Sequence, residues 1–282
     1  MSSNLIDELI DLAIREDIGD GDHTSLACIP SDATGTAWLV AKEDGIIAGI
    51  EIAVKIFTRF DSSAIFDVKM QDGARIVPGD IVFIITANII SILKAERLVL
   101  NIMQRMSGIA THTSQYVKVL EGYKTKVLDT RKTTPGMRWL DKEAVRVGGG
   151  TNHRFGLYDM ILIKDNHIDF AGGIEKSIQK TKEYLTANKK SLKIEIEARS
   201  LDDVNKILAT GGIDRILLDN FSIEDTRAAV NLISGRFETE SSGNITLDNI
   251  RNYADCGVDY ISVGALTHQI KSIDLSLKAV DY

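Results

Sequence analysis

The chain changes rhythm halfway along its length. Residues 4–15 place Leu5, Leu9, Leu12 and Ala13 at helical spacing, which predicts an amphipathic helix with those four as its buried stripe. Between residues 34 and 86 the apolar runs shorten to strand length in TAWLVAKE, GIIAGIE, AIFDVKM and DIVFIIT, divided by Gly, Asp and Pro turns. A helix is expected at about residues 52–60 inside that layer. A long helical region follows at 92–120, with an interruption expected at Ser107 and Gly108. Beyond it strand-length and helix-length segments alternate: KVLDT with MRWLDKEAVRV, DMILIK with GIEKSIQKTKEYL, KIEIEA with LDDVNKILA, RILLD with IEDTRAAVNLI, RFETE with LDNIRNYADC, and YISVG with a last helical stretch. Such alternation implies parallel strands joined by helices. A β/α barrel fits it better than an open doubly wound sheet.

That architecture puts chemistry at the carboxyl ends of the strands. The exits read Asp129-Thr130-Arg131-Lys132, Lys164-Asp165-Asn166-His167, Glu195 with Glu197, Asp219-Asn220, Glu240-Ser241-Ser242-Gly243 and Val263-Gly264-Ala265. Residues 124–167 hold nine Lys and Arg against five Asp and Glu, within a chain of net charge -7. Cations concentrated against the overall balance point to anionic substrate groups, and arginine pairs with carboxylate or phosphate in bidentate fashion. Arg131, Lys132, Arg154 and Lys164 are the candidates. Ser242-Gly243-Asn244 and Val263-Gly264-Ala265 offer small residues ahead of helices, an arrangement that holds phosphate. Glu197 and Asp219 remain as carboxylates for Mg2+ or for sugar hydroxyls. His153, beside Arg154, reads as a substrate contact whose charge responds to pH, and His167 as a closure of its strand exit.

Composition excludes more than it assigns. With 282 residues and 44% apolar content the chain can bury a large core. Cys28 and Cys256 stand far apart and outside metal or disulfide spacing, as a reducing cytoplasm allows. No run of roughly 18 apolar residues predicts a membrane span, the first residues lack the pattern of a secretion signal, and the acidic balance argues against nucleic acid as a partner. EDIGDGDHTS lacks the closing Glu of a calcium loop, and Lys69 beside Met70 belongs to a strand face formed by Phe66, Val68 and Met70.

DTRKTTPGMR, AVRVGGGTNHR and ILIKDNHI, with EDIGDGDHTS, ERLVLNIMQRMSGIATHT, LLDNF and GVDYISVGALTH, occur in an order that resembles the quinolinate phosphoribosyltransferase family over nearly the whole chain. The resemblance implies transfer of phosphoribosyl from phosphoribosyl pyrophosphate to quinolinate with decarboxylation, giving nicotinate mononucleotide, pyrophosphate and CO2 in NAD biosynthesis, with Mg2+. It implies an α/β fold, an N-terminal α/β sandwich followed by an incomplete β/α barrel. The expected division is 1–110, joined by a C-terminal helix at 268–282, and 111–267. It also implies a homodimer in which Arg97 reaches the partner's site. Carried over by position, Thr130, Arg131, His153, Arg154 and Lys164 would hold quinolinate. Lys132, Lys164, Glu197, Asp219, Ser242, Gly243, Asn244, Val263, Gly264 and Ala265 would hold phosphoribosyl pyrophosphate, and Lys132, Lys164, Glu197 and Asp219 would be catalytic. Asn244 departs from the glycine common in the family. A related fold associated with molybdenum transport, a nicotinate-specific transferase and a silent binding protein are the rival readings. The intact TRKTTPGMR and LIKDNH, the number of arginines, and the retention of Lys132, Glu197 and Asp219 weigh against each in turn.

Overall fold

The computed structural model describes residues 2–280, which divide into two compact units. The first takes the chain up to Ser114, then Thr133–Gly149, and the chain from Leu266 onward. It begins with α1 (Ser2–Ile18) and the short α2 (His23–Cys28), whose N-terminus is capped by Asp22 accepting from the Ser25 N–H. The buried stripe of α1 is Ile6 and Ile10, while Leu5 and Leu12 are exposed and Leu9 and Ala13 flank the seam, so the expected stripe is rotated by about one position.

Strands β1 (Thr34–Ala41) and β2 (Gly45–Ile46), helix α3 (Ile50–Phe60), and strands β3 (Ile65–Val68), β4 (Arg75–Ile76) and β5 (Ile81–Asn88) follow, then the long helix α4 (Ile89–Val119). Phe83 meets Phe57 and Phe66 edge to face, and Phe57 and Phe66 are tilted against each other, at ring-centroid distances of 5.9–6.2 Å, which anchors this core. α4 runs without a break through Ser107 and Gly108, correcting the expected interruption. Both residues serve close approach. The Ser107 hydroxyl is buried and accepts the Ala48 N–H at 3.0 Å. A Cβ on Gly108 would stand 2.3 Å from the Lys271 carbonyl oxygen.

The closing segment is a strand, not the helix expected over 268–282. Leu275, Leu277 and Ala279 alternate with Ser276 and Lys278, the period-two signature of β structure. This last strand pairs antiparallel with β1, Leu39 opposite Leu277. Helix α5 (Arg138–Val147) also counts with the first unit, an excursion absent from the expected division of 1–110 with 268–282 against 111–267. Arg105 on α4 grips the fully buried Asp141 of α5 at 2.8 and 2.9 Å. Gly148, ending α5, sits where a Cβ would be 2.4 Å from the Ala110 carbonyl oxygen.

The second unit comprises Gln115–Lys132 and Gly150–Ala265. Its strands are β6 (Lys126–Leu128), β7 (Ile161–Ile163), β8 (Ile194–Ala198), β9 (Arg215–Asp219), β10 (Glu238–Ser242) and β11 (Tyr260–Ser262). They are linked by α6 (Asp165–Ala171), α7 (Ile174–Ala187), α8 (Leu201–Thr210), α9 (Ile223–Ile233) and α10 (Ile250–Ala254), after which α11 (Ala265–His268) leads into the closing strand β12 (Leu275–Ala279). All pairings are parallel, in the order β6-β11-β10-β9-β8-β7. β6 and β7 are the two edges, so the barrel is open; beyond its pairing with β11, β6 has a bridge from Leu128 to Thr151.

Alternation along the strands sorts the side chains. Ile163, Ile196, Ala198, Ile216 and Leu218 face outward and pack with Ile178, Val204, Ile207, Ala229 and Ile233 of the helices. Burying each of the Ile, Leu and Val side chains is worth roughly 1.5–3 kcal/mol. The other face carries Glu195, Glu197, Arg215, Asp219, Glu238 and Glu240. This interior is charged where β/α barrels are ordinarily filled by branched apolar side chains. Ser200 and Ser222 cap α8 and α9 by accepting the N–H groups of Asp203 and Asp225, which fixes where two of the exits end.

Candidate active site

The groups expected to bind substrate, except Arg97, lie toward the carboxyl-terminal ends of the barrel strands or on the segment between β6 and β7. Arg97 is exposed on α4 within the first unit. At the β6 exit the Thr130 hydroxyl accepts the Lys132 N–H at 3.0 Å, so the backbone turns sharply, with Arg131 half-buried and Lys132 exposed. Asp129, fully buried, accepts the His153 N–H at 2.8 Å, and its own N–H donates to the Thr151 carbonyl oxygen at 3.1 Å. These bonds tie the segment carrying His153 and Arg154 to the open edge of β6.

Arg154 donates to the Met160 carbonyl oxygen at 3.2 Å and is held below the ordinary guanidinium range, first by burial and next by the charge of Arg131. Arg131 Nε is itself shut from solvent without a hydrogen-bond partner. Two neighbouring guanidiniums, one carrying an unsatisfied buried donor, form a pocket whose stability improves when an anion enters. Planar guanidinium forks suit carboxylates.

On the opposite edge, Lys164 Nζ lies 3.7 Å from Glu197 Oε1, and Glu197 Oε2 accepts the Asp165 N–H at 2.9 Å at the start of α6. His167 Nδ1 accepts the Lys164 N–H at 3.0 Å, so its ring closes that exit as expected. Asp219 and Ser242 are directly paired neighbours at the ends of β9 and β10. Val263 donates its N–H to the Leu128 carbonyl oxygen at 2.9 Å, and Gly264 and Ala265 follow into α11. Cations therefore gather at the β6 and β7 edges, and carboxylates and small-residue loops at the strands between. That separation suits a substrate with a carboxylated ring at one end and a phosphorylated sugar at the other.

One layer deeper lies a cluster that the exit pattern does not announce. Glu195 was expected at an exit but sits inside β8, beside Arg215 in register, and Glu240 lies inside β10. His153 Nε2 is 3.0 Å from Glu195 Oε2 and 3.5 Å from Glu240 Oε2, and Arg215 donates to Glu240 Oε2 at 2.9 Å. Arg215 also stacks over Tyr260 at 4.0 Å and reaches Glu238. The His153 ring is 7% exposed, and its Nδ1 accepts the Arg154 N–H at 2.7 Å, which leaves the ring proton on Nε2, facing the glutamates. Burial raises Glu195 to about 7 and Glu240 to about 8, the second also through the charge of the first. Burial therefore moves the ionisation of these two glutamates toward neutral pH. Their ligand atoms and that of His153 lie within 4.8 Å of one another, a composition metals use, but the Arg215 guanidinium already supplies the neighbouring positive charge.

Sequence spacing missed Arg215 and the inward role of Glu195 and Glu240, because their partners come from three different strands. Charged residues recurring on one alternate face of IEIEA, RILLD and ETESS, at Glu195 and Glu197, Arg215 and Asp219, and Glu238 and Glu240, were the available signal.

Two domain-family models match the sequence in order: Quinolinate phosphoribosyl transferase, N-terminal domain, over residues 22–107, and Quinolinate phosphoribosyl transferase, C-terminal domain, over 109–278. The chain is 44% identical over 286 residues to the Nicotiana tabacum protein named quinolinate phosphoribosyltransferase (decarboxylating) 2b, mitochondrial, covering 96% of this chain and 81% of that one. It is 40% identical to the Bacillus subtilis (strain 168) protein named probable nicotinate-nucleotide pyrophosphorylase (carboxylating), covering 96% and 92%. Among solved structures it resembles NadC from Streptococcus pyogenes at a TM-score of 0.92 and 40% identity, over 98% of this chain and 97% of that one.

Proposed function

The chain belongs to the quinolinate phosphoribosyltransferase family, and from that premise we infer that it transfers phosphoribosyl from phosphoribosyl pyrophosphate to quinolinate and releases pyrophosphate and CO2. The observation that carries the substrate assignment is the crowding of Arg131 and Arg154, with the buried Nε of Arg131 unpartnered. Quinolinate has two adjacent carboxylates on a pyridine ring, and two guanidiniums fix such a ring in one orientation with its nitrogen toward the sugar. Thr130 and His153 flank that position, and Lys164 joins the ring site to the sugar site.

Catalysis on this reading is positioning plus electrostatics. The ring nitrogen forms its bond to the ribose anomeric carbon as the bond from that carbon to pyrophosphate breaks. Positive charge develops on the sugar, and the carboxylates of Glu197 and Asp219 stabilise it. Lys132 and the Ser242, Gly243, Asn244 and Val263, Gly264, Ala265 segments hold the phosphates. The alkylated nitrogen is cationic, so the carbon-carbon bond to the neighbouring carboxylate can break with its electron pair entering the ring. CO2 departs and a proton replaces it, giving nicotinate mononucleotide.

Mg2+ fits the oxygen donors of Glu197 and Asp219, directly or through water, since this ion combines one or two protein carboxylates with substrate phosphates. When bound it neutralises charge on the departing pyrophosphate. We further propose a homodimer, with Arg97, exposed on α4, completing the partner's quinolinate site. The two free thiols, Cys28 and Cys256, fit a cytoplasmic location. No helix among the described residues is long and apolar enough to cross a membrane.

A turnover assay tests the reaction. Purified protein with phosphoribosyl pyrophosphate and Mg2+ is offered quinolinate or nicotinate in parallel. Mononucleotide from quinolinate with matching CO2 is expected. Product from nicotinate alone would overturn the substrate assignment, and product from neither would favour a binding role.

A further inference from the structure

Asn220 is the first residue past β9, and its φ of +55° lies in the left-handed region that asparagine tolerates and most side chains avoid. Four contacts converge on it. Its N–H donates to the Ser242 carbonyl oxygen at 2.9 Å, and its Nδ2 donates to Asp219 Oδ2 at 3.1 Å. Its Oδ1 accepts from Asn244 Nδ2 at 3.1 Å. Gly243 packs so closely that a Cβ there would stand 2.2 Å from that same Oδ1. The amide can point only one way, because a carboxylate accepts and never donates. Asn244 is likewise left-handed, at φ +52°, and its carbonyl oxygen accepts from Asn249 Nδ2 at 3.1 Å. Asn249 Oδ1 in turn accepts the Thr246 N–H at 2.8 Å. A chain of three asparagine amides thus runs from the Asp219 carboxylate through the loop after β10.

The side-chain bonds of this chain are solvent-facing, and each contributes little stability by itself. Together they fix relative position: Asp219 and the Ser242, Gly243, Asn244 loop cannot shift independently while Asn220 bridges them. We propose that Asn220 is a positioning residue of the transfer reaction, holding the Asp219 carboxylate and that loop in one register toward phosphoribosyl pyrophosphate, with the Asn244 side chain as its partner. The inference rests on the reading that Asp219 and this loop face that substrate. It also gives the amide at position 244 a task that glycine there could not perform.

The test is a set of substitutions that respect the left-handed backbone. Asn220→Asp keeps the shape but sets a second carboxylate against Asp219. Asn220→Gly and Asn244→Gly keep the backbone and remove the amides. The expected result is a KM for phosphoribosyl pyrophosphate raised by about tenfold in Asn220→Asp and by several-fold in each glycine variant, with the KM for quinolinate within about twofold of the parent. Asn244→Gly added to Asn220→Gly is expected to cost nothing further, as for two members of one contact. A folded Asn220→Asp enzyme with an unchanged KM for phosphoribosyl pyrophosphate, or with both substrates weakened equally, overturns the proposal. If Asn220→Asp does not fold, an Asn244→Gly enzyme with parental KM values overturns it instead. Asp219→Asn is the control. Impairment there with none at Asn220 refutes the positioning role alone, whereas parental kinetics in Asp219→Asn refute the site reading and the proposal with it.

Discussion

Arg131 and Glu240 mark the two electrostatic regimes of the barrel. Arg131 keeps a buried donor unsatisfied beside a second guanidinium, an arrangement that is costly until an anion arrives. Arg131→Ala is therefore expected to reduce quinolinate capture by about 2–5 kcal/mol, read as the ratio of kcat/KM values, the usual loss on truncating one member of a buried charge pair. Parental kinetics would remove Arg131 from the pocket. Glu240 is the opposite case, a carboxylate that resists ionising because it is buried beside Glu195, which places it at about 8. The folded state then binds more protons than the unfolded one between the ordinary carboxylate range and about pH 8, so this group makes stability fall as pH rises through that window. Glu240→Gln removes the ionisation. The stability of the variant relative to the parent should therefore improve steadily from pH 5 to pH 8.5 in thermal unfolding, and parallel curves across that range would show that Glu240 is not the titrating group.

At the scale of elements, the glycines on α4 and after α5 explain why a helix can run where propensity advises a break. Gly108 is present because the Lys271 carbonyl oxygen approaches to within reach of a missing Cβ, at 2.3 Å, and that atom belongs to backbone that cannot swing aside. Gly108→Ala should raise local helix propensity by about 1 kcal/mol yet lower the melting temperature, because overpacking against backbone costs about 1–3 kcal/mol. A variant as stable as the parent would mean that the segment around Lys271 moves freely. The same position shows what the sequence conveys and what it withholds. Alternation and helical spacing placed the six parallel strands and most of the helices between them, because each buries its own apolar face, but they missed the short α6, which opens directly on the polar exit Asp165-Asn166-His167. They failed at Ser107 and Gly108, whose reasons lie in a segment more than 160 positions away for Gly108. They failed again over 268–282, where a clear period of two in Leu275, Leu277 and Ala279 was outweighed by the helical rhythm preceding it. Exit residues such as Arg131, Lys164 and Asp219 were legible because strand ends carry their polar groups in sequence. Arg215, Glu195 and Glu240 meet only through register between strands, and no local spacing encodes that.

The whole molecule raises the question of where Arg97 acts. It stands exposed on the long helix of the first unit, whereas the other candidate groups are gathered by the second. A third guanidinium would add to the anion pocket of Arg131 and Arg154, and a symmetric pair of chains can exchange such a residue reciprocally, each site drawing one group from its neighbour. If so, inactivating lesions at Arg97 and Arg131 fall on different chains of the same site. Arg97→Ala and Arg131→Ala homodimers should each be nearly inactive, while a mixed dimer should possess one site bearing both lesions and one bearing neither. Equal mixing with full exchange gives half of the dimers in mixed form, each with half of its sites intact, so recovery of about one quarter of parental activity is expected. The measurement is turnover of quinolinate before and after subunit exchange, with exchange verified by differently tagged chains co-purifying. Verified mixed dimers without recovered activity would confine Arg97 to its own chain and end the shared-site reading, whereas recovery near one quarter could not arise if both residues served the same chain's pocket.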